Sequence, residues 1–337
     1  MFFLLAVPSQ ALEILPPEIP ERAAGSMPKE TQSFTDGILE LLQTGIYYLR
    51  PELRSGLKSV LTLLAAVICI SMLSTVSESG KRTAILAGTL SISLLLLNHA
   101  DSMIRLGTET VRELSSYGKL LLPVMTTAMA AQGNVASSTA LYLGTAAFDT
   151  ILGSLISGML IPMVYGYIGL SVAHSALQEE MLKQLRDLIR NCLAWCLKTL
   201  LIVYTTYMSI SGVISGTTDA AALKATRFTI ASVVPVVGGI LSDASESVLV
   251  SVALMKNAAG IYGILAVLAI VIQPFVRIGV QYLLLKAAAA VSNLFSPKAI
   301  SALIDDFASA MGFLLGMTGS VCLLILISTV CFMKGIG

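Results

Sequence analysis

The chain has 337 residues, of which only 12% are charged, compared with about 25% in a typical soluble protein. Hydrophobic residues make up 55% of the sequence, and the mean hydropathy is +0.85. A soluble protein of this length could not cover its surface with so few charges, which excludes a cytosolic enzyme, a disordered chain and a secreted disulfide scaffold. The composition predicts an all-α, polytopic protein in a lipid bilayer. The net charge of +1 argues against binding to nucleic acid.

The first 57 residues predict an exported N-terminal part. An apolar run at residues 1–7 is followed by Ser9-Gln10-Ala11, a pattern typical of the end of a secretory signal peptide. Residues 1–11 are therefore interpreted as a signal-like segment. Because they carry no basic residue, the alternatives are a start further upstream or a segment that is not a signal. Residues 12–57 are expected to form an extracytoplasmic Pro-rich linker and then an amphipathic helix, which begins at Phe34 and is stopped by Pro51.

Residues 58–337 form the predicted membrane domain. Apolar runs long enough to cross a bilayer recur along it, which predicts roughly seven to ten membrane passes. The run 135–177 is long enough for two of them. Proline and glycine are expected to break two further segments, Pro123–Gly133 and Pro235–Ser247, and the range in the number of passes comes from these two segments.

Polar residues near the ends of the apolar runs suggest simple structural roles. The charged stretch 179–190 is predicted to form an amphipathic helix, and we expect Glu179 and Glu180 to pair with Lys183 on its solvated face. Asp305 and Asp306 precede the last predicted span and are expected to lie in its N-terminal cap region. His99 and His174 each flank an apolar run, which is typical of an interfacial residue rather than a metal ligand or a general base.

The spacing of four prolines suggests an internal repeat. Pro162 follows Pro123 by 39 residues, and Pro274 follows Pro235 by the same distance. The two pairs are offset by 112 residues along the chain. The repeat units that correspond to this offset are 83–190 and 195–306. The alternative is a chance match, because proline is common in membrane helices.

Residues that are costly inside a bilayer define the candidate site. An ionised carboxylate in mid-span, such as that of Asp149, costs roughly 2.5–3.5 kcal/mol on insertion scales. We therefore expect Asp149 either to line a polar path or to pair structurally with a neighbouring helix. Repeat-containing membrane proteins place functional sites on discontinuous helices, so the two broken segments are expected to meet near a pore or a central packing axis. The candidate pore or packing residues are Pro123, Asp149, Pro162, Pro235, Gly238, Gly239, Asp243, Glu246 and Pro274.

Motifs for catalysis are missing from the sequence. It contains no P-loop, no GxGxxG, no GxSxG and no HExxH pattern, and it has only two histidines. The five cysteines include no CxxC pair. We therefore predict that the chain is not an enzyme and that it has no catalytic residue, cofactor or metal site.

One stretch of the sequence resembles a known family. The run VPVVGGILSDA at 234–244 is followed by KNAAGIYG at 256–263, and both are similar to the C-terminal half of the stage III sporulation protein AE family of spore-forming Firmicutes. The signal-like segment, the amphipathic stretch before Arg50-Pro51-Glu52-Leu53 and the multi-span body also resemble that family. The N-terminal region is shorter than the family pattern, and its signal lacks positive charge.

The resemblance implies a place in a sporulation complex. Proteins of this family belong to the stage III sporulation A group, which includes ATPase-like and ring-forming members. They are expected in the mother-cell membrane around the forespore, where the group joins stage II sporulation protein Q across the intermembrane space. The implied function is an integral membrane component of a secretion-like channel that is needed for late forespore development. The alternatives are a stand-alone secondary transporter and a structural scaffold for the ring-forming members.

Overall fold

The computed structural model describes residues 17–29, 34–76, 81–131, 135–210 and 258–336. Within these ranges the regular structure is helical throughout, which confirms the predicted all-α class. Three of the helices, α4, a π-helical turn and α5, follow one another without a break. The helices are α1 (Glu21–Ala24), α2 (Phe34–Val76), α3 (Lys81–Ala131), α4 (Val135–Leu155), the π-helical turn (Ile156–Leu160), α5 (Ile161–Leu177), α6 (Glu180–Ile210), α7 (Ala258–Ser292) and α8 (Lys298–Ile336).

Six helical stretches are long and apolar enough to cross a membrane, so the prediction of a polytopic membrane protein is confirmed. They lie in α2, α3, α4–α5, α6, α7 and α8. The predicted seven to ten passes also depend on 211–257, which lies outside the described residues. Most of these helices exceed the roughly 20 residues that a bilayer core requires. The longest, α3, has 51 residues.

Three prolines lie inside continuous helices, and two of the breaks that we predicted are wrong. The expected helix end at Pro51 is wrong because α2 runs through it to Val76, and that helix also crosses the predicted boundary at residue 57. The expected break at Pro123 is wrong because α3 continues to Ala131. Near Pro123, Thr126 Oγ1 donates to the Leu122 carbonyl at 2.7 Å, although the carbonyl that the proline leaves without a donor is that of Lys119. The packing of neighbouring helices lets proline remain in a membrane helix.

The segment 135–177 forms one long helical column rather than the two spans that we predicted. Pro162 lies at the start of α5, directly after the π-helical turn. Proline has no N–H to donate, and its ring crowds the carbonyl four residues earlier, here that of Gly158. The wider π-helical turn absorbs this mismatch, so the column continues. The charged stretch 179–190 likewise joins the following apolar run in the single helix α6.

The last helix, α8, forms the centre of the bundle. In its most apolar stretch 94% of the residues are buried by the rest of the chain, whereas the share for α2 is 17%. It packs against α7 and α3 along most of its length and also touches α4, α5 and α6. A helix that is apolar on all sides is typical of such a buried position. Outside this core, α2 packs on α7 and leaves much of its apolar surface exposed, as expected for a helix that faces lipid.

Small residues allow the helices to approach one another closely. A Cβ atom added at Gly118 of α3 would lie 3.2 Å from Ile325 of α8, and one at Gly312 of α8 would lie 3.3 Å from Tyr282 of α7. A Cβ atom at Gly263 of α7 would meet the side chain of Leu121 at 2.9 Å. Close approach at small residues is a principal source of helix–helix attraction in a bilayer, where no hydrophobic drive brings helices together.

Candidate functional site

Two buried charges of opposite sign form a cluster that joins α5, α6 and α8. Arg186 Nη1 donates to Asp306 Oδ2 at 2.9 Å, and the Tyr167 hydroxyl donates to Asp306 Oδ1 at 2.8 Å. Only 10% of the Arg186 side chain and 6% of the Asp306 side chain are exposed. Arg186 also pairs with Asp187, which is partly exposed. We call Tyr167, Arg186 and Asp306 the inner cluster.

The inner cluster corrects one expectation from the sequence and adds a contact that the sequence does not predict. Asp306 does not cap a helix, because α8 begins eight residues earlier at Lys298. Arg186 points into the bundle and meets a carboxylate 120 residues away, whereas Lys183 pairs with Glu180 on the exposed face as expected. An isolated charge buried in this way would be very costly, and here each oxygen of the carboxylate accepts a hydrogen bond. The cluster therefore ties three helices together at one level of the bundle.

A second polar group surrounds Asp149. Asp149 is 2% exposed, and the hydroxyl of Ser115 in α3 donates to its Oδ2 at 2.9 Å. The adjoining cavity has room for about one water molecule, and Thr145 and Ser328 are among its lining residues. Thr145 Oγ1 is buried with no hydrogen-bond partner among the described residues. Asp149 thus bonds to a neighbouring helix, as one of our two alternatives predicted, and also borders a small cavity.

Tyr204 extends the polar contacts from this group toward α6. Its hydroxyl donates to the Leu324 carbonyl of α8 at 3.0 Å and also lies within hydrogen-bond distance of the Ser328 hydroxyl. Phe148, next to Asp149, packs edge-on against the Tyr204 ring with 5.3 Å between centroids. The residues around Asp149 therefore join α3, α4, α6 and α8.

The N-terminal segment is held against the charged middle of α3. Arg22 Nη2 lies 2.8 Å from Glu109 Oε2, and the second contact of Arg22 is with Glu113. The hydrogen bond to Glu109 raises the pKa of Arg22, so the guanidinium stays charged. Two turns earlier in α3, Asp101 accepts hydrogen bonds from Arg105 and from the Tyr165 hydroxyl, both at 2.8 Å. These pairings offset charge in the middle of a helix that is otherwise apolar.

Of the remaining candidate residues, the structure describes only three prolines. Pro123 and Pro162 lie on exposed helix faces, and Pro274 is buried inside α7. Pro235, Gly238, Gly239, Asp243 and Glu246 lie outside the described residues. The predicted meeting of the two broken segments is therefore untested, and so is the internal repeat. Sequence reasoning missed Tyr167 and Ser115, since neither a tyrosine nor a serine in an apolar run signals a buried partner.

The contacts of the inner cluster run between helices. Within the described part of the chain, no three or more His, Cys, Asp and Glu side chains form a group that could hold a metal ion. In the inner cluster the Asp306 carboxylate accepts hydrogen bonds from Arg186 and Tyr167. What this arrangement can do is hold helices in register or, if the ion pair breaks, release them.

Comparisons with known proteins identify the family. The profile described as stage III sporulation protein AE matches residues 27–335. The stage III sporulation protein AE of Bacillus subtilis (strain 168) is 24% identical over 257 residues, which is 75% of this chain and 64% of the Bacillus protein. No solved structure matches the chain. With nearly its whole length matched by the family profile, the chain belongs to the stage III sporulation protein AE family.

Proposed function

We propose that this chain is an integral membrane component of a secretion-like channel complex that connects the mother cell and the forespore. Membership of the stage III sporulation protein AE family over residues 27–335 is the observation that carries the proposal. The six apolar helical stretches support a component embedded in the bilayer. The role is non-enzymatic, since the sequence lacks an ATP-binding motif and energy would come from the ATPase-like member of the group.

The proposed partners are the other stage III sporulation A group proteins and, from the forespore side, stage II sporulation protein Q. The experiment is affinity purification of the tagged full chain from membranes of sporulating cells after crosslinking. The proposal predicts that ring-forming members and stage II sporulation protein Q co-purify. Recovery of the chain without any of them would contradict it. A fluorescent fusion that fails to concentrate in the membrane around the forespore would contradict the proposed location.

The two glycines of the second predicted break provide a genetic test of a pore or packing role. Replacing both Gly238 and Gly239 with Leu adds bulk where the sequence predicts close packing. We expect the double variant to insert into the membrane at wild-type levels and to lose spore formation. Normal sporulation of that variant would remove this role for the segment.

A stand-alone secondary transporter is the second candidate, and the buried position of Asp149 beside a water-sized cavity favours it. Transporters often couple ion movement to a carboxylate at membrane depth. Substrate uptake by vesicles that contain only this chain, lost on Asp149→Asn, would support the transporter. If Asp149→Asn sporulates normally and bulk at residues 238–239 is tolerated, a scaffold for the ring-forming members becomes the better interpretation.

A further inference from the structure

A groove opens on the side of the bundle where α2 and α3 diverge over α7. Near their connection the two helices are in close contact, since Gly88 of α3 lies directly against Ile70 of α2. About two helical turns before this contact in α2, a groove of about 250 Å³ lies between the two helices and α7. Ser59 and Thr62 of α2 form one wall, Leu95 and His99 of α3 form the other, and Gln281 of α7 lies in the floor. We call this space the α2–α3 groove.

The lining of the α2–α3 groove is uncharged but contains four polar side chains. The hydroxyls of Ser59 and Thr62 donate to the carbonyls one turn earlier in α2, at 3.3 and 3.0 Å, and so keep free lone pairs. The side chains of His99 and Gln281 make no hydrogen bond to any of the residues that the structure describes. Leucines separate these polar groups along the groove, among them Leu95 and Leu285.

Such a lining is costly if it simply faces hydrocarbon. All three helices of the groove contain apolar stretches long enough to cross a membrane, and the lining residues lie within those stretches. An amide or imidazole in an apolar medium without a hydrogen bond costs about 1–3 kcal/mol by mutational measures. The volume of about 250 Å³ is below the roughly 300–1,000 Å³ of sites that enclose a whole small molecule, so the groove would hold only part of a larger one. A ligand that carries hydrogen-bonding groups and an apolar tail would pair with the polar side chains of the groove and pack against its leucines.

We propose that the α2–α3 groove binds a membrane lipid through its glycerol-ester region. The ester carbonyls would accept from His99 and the Gln281 amide, and an acyl chain would lie along Leu95 and Leu285. The absence of charged side chains among the lining residues favours the ester region over a phosphate or another anionic headgroup. The groove opens to the outside of the bundle, where the bilayer supplies such molecules.

The test uses the full chain, purified in detergent and reconstituted into phosphatidylglycerol vesicles. These vesicles contain a trace of phosphatidylglycerol with a diazirine on one acyl chain, and labelled peptides are identified after illumination. We expect labelling concentrated on residues 59–63 and 95–99. Unlabelled diacylglycerol, which has the ester region but no charged headgroup, should compete. Uniform labelling of all lipid-facing helices, or labelling that diacylglycerol does not reduce, would overturn the proposal.

Two variants separate occupation of the groove from a loss of folding. Leu95→Trp fills the groove, and we expect labelling there to fall about tenfold. Asn98→Trp is the matched control, since Asn98 is an exposed residue of the same helix that does not line the groove, and it should label like the wild type. If Leu95→Trp does not fold, the double variant His99→Leu, Gln281→Leu removes the polar anchors and should also reduce labelling. Unchanged labelling in a folded Leu95→Trp or double variant would overturn the proposal.

Discussion

Replacing Asp306 with asparagine should destabilise the bundle far more than an ordinary surface substitution. The change removes the negative charge that faces Arg186 and leaves a buried guanidinium inside the bundle. Removing one partner of a buried ion pair costs about 3–5 kcal/mol. Because Arg186 keeps its contact with the partly exposed Asp187, we expect a loss of about 2–4 kcal/mol in the free energy of unfolding. Thermal or denaturant unfolding of the purified chain in detergent measures it.

The adjacent carboxylate supplies the matched control. Asp305 pairs with Lys286 at 2.6 Å, and 40% of its side chain is exposed. Exposed ion pairs contribute about 0–1 kcal/mol, so Asp305→Asn should lower the free energy of unfolding by no more than about 1 kcal/mol. The double variant Arg186→Met, Asp306→Leu removes both charges. Its loss in the free energy of unfolding should be smaller, by more than about 1 kcal/mol, than the summed losses of the single variants Arg186→Met and Asp306→Leu. An Asp306→Asn loss no larger than that of Asp305→Asn, or strict additivity in the double variant, would show that the buried ion pair does not stabilise the bundle in this way.

Three further predictions follow from the packing. Gly118→Leu places a side chain against α8 and should cost about 1–3 kcal/mol in unfolding measurements, whereas Gly169→Leu, with open space around it, should be tolerated. Asp149→Asn keeps an oxygen that accepts from Ser115, so thermal unfolding should show a loss of no more than about 1 kcal/mol; a larger loss would mean that the charge itself is required. Arg22→Ala breaks partly exposed pairs and should cost about 0–1 kcal/mol at low salt and less at high salt, and a loss that does not depend on salt would contradict this.

Composition and hydropathy were enough to predict the class of the protein. Low charge and recurring apolar runs required helices in a bilayer, and the structure contains them. The bounds of the helices were not predictable in the same way. Pro51 and Pro123 would be expected to stop a helix in a soluble protein, but here α2 and α3 continue through them, as helices buried against other membrane helices can.

The buried charges could not be predicted from local pattern. Arg186 lies in a stretch whose spacing is that of a solvated face, and its partner Asp306 is 120 residues away. Only the packing of α6 on α8 brings them together. Asp149 was recognisable because a carboxylate in an apolar run is costly wherever it points, but its partner Ser115 carries no comparable signal. Sequence reasoning therefore finds costly residues more readily than the neutral residues that satisfy them.

The proposed channel role is tested most directly by a clean deletion of the coding sequence in the organism that encodes this chain, followed by sporulation. Heat-resistant spores are counted and engulfed forespores are imaged, with a wild-type copy restored as the control. We expect engulfment to be completed, forespores then to stall or shrink, and heat-resistant spores to be lost until the copy is restored. Normal numbers of heat-resistant spores in the deletion strain would rule out the proposed channel role.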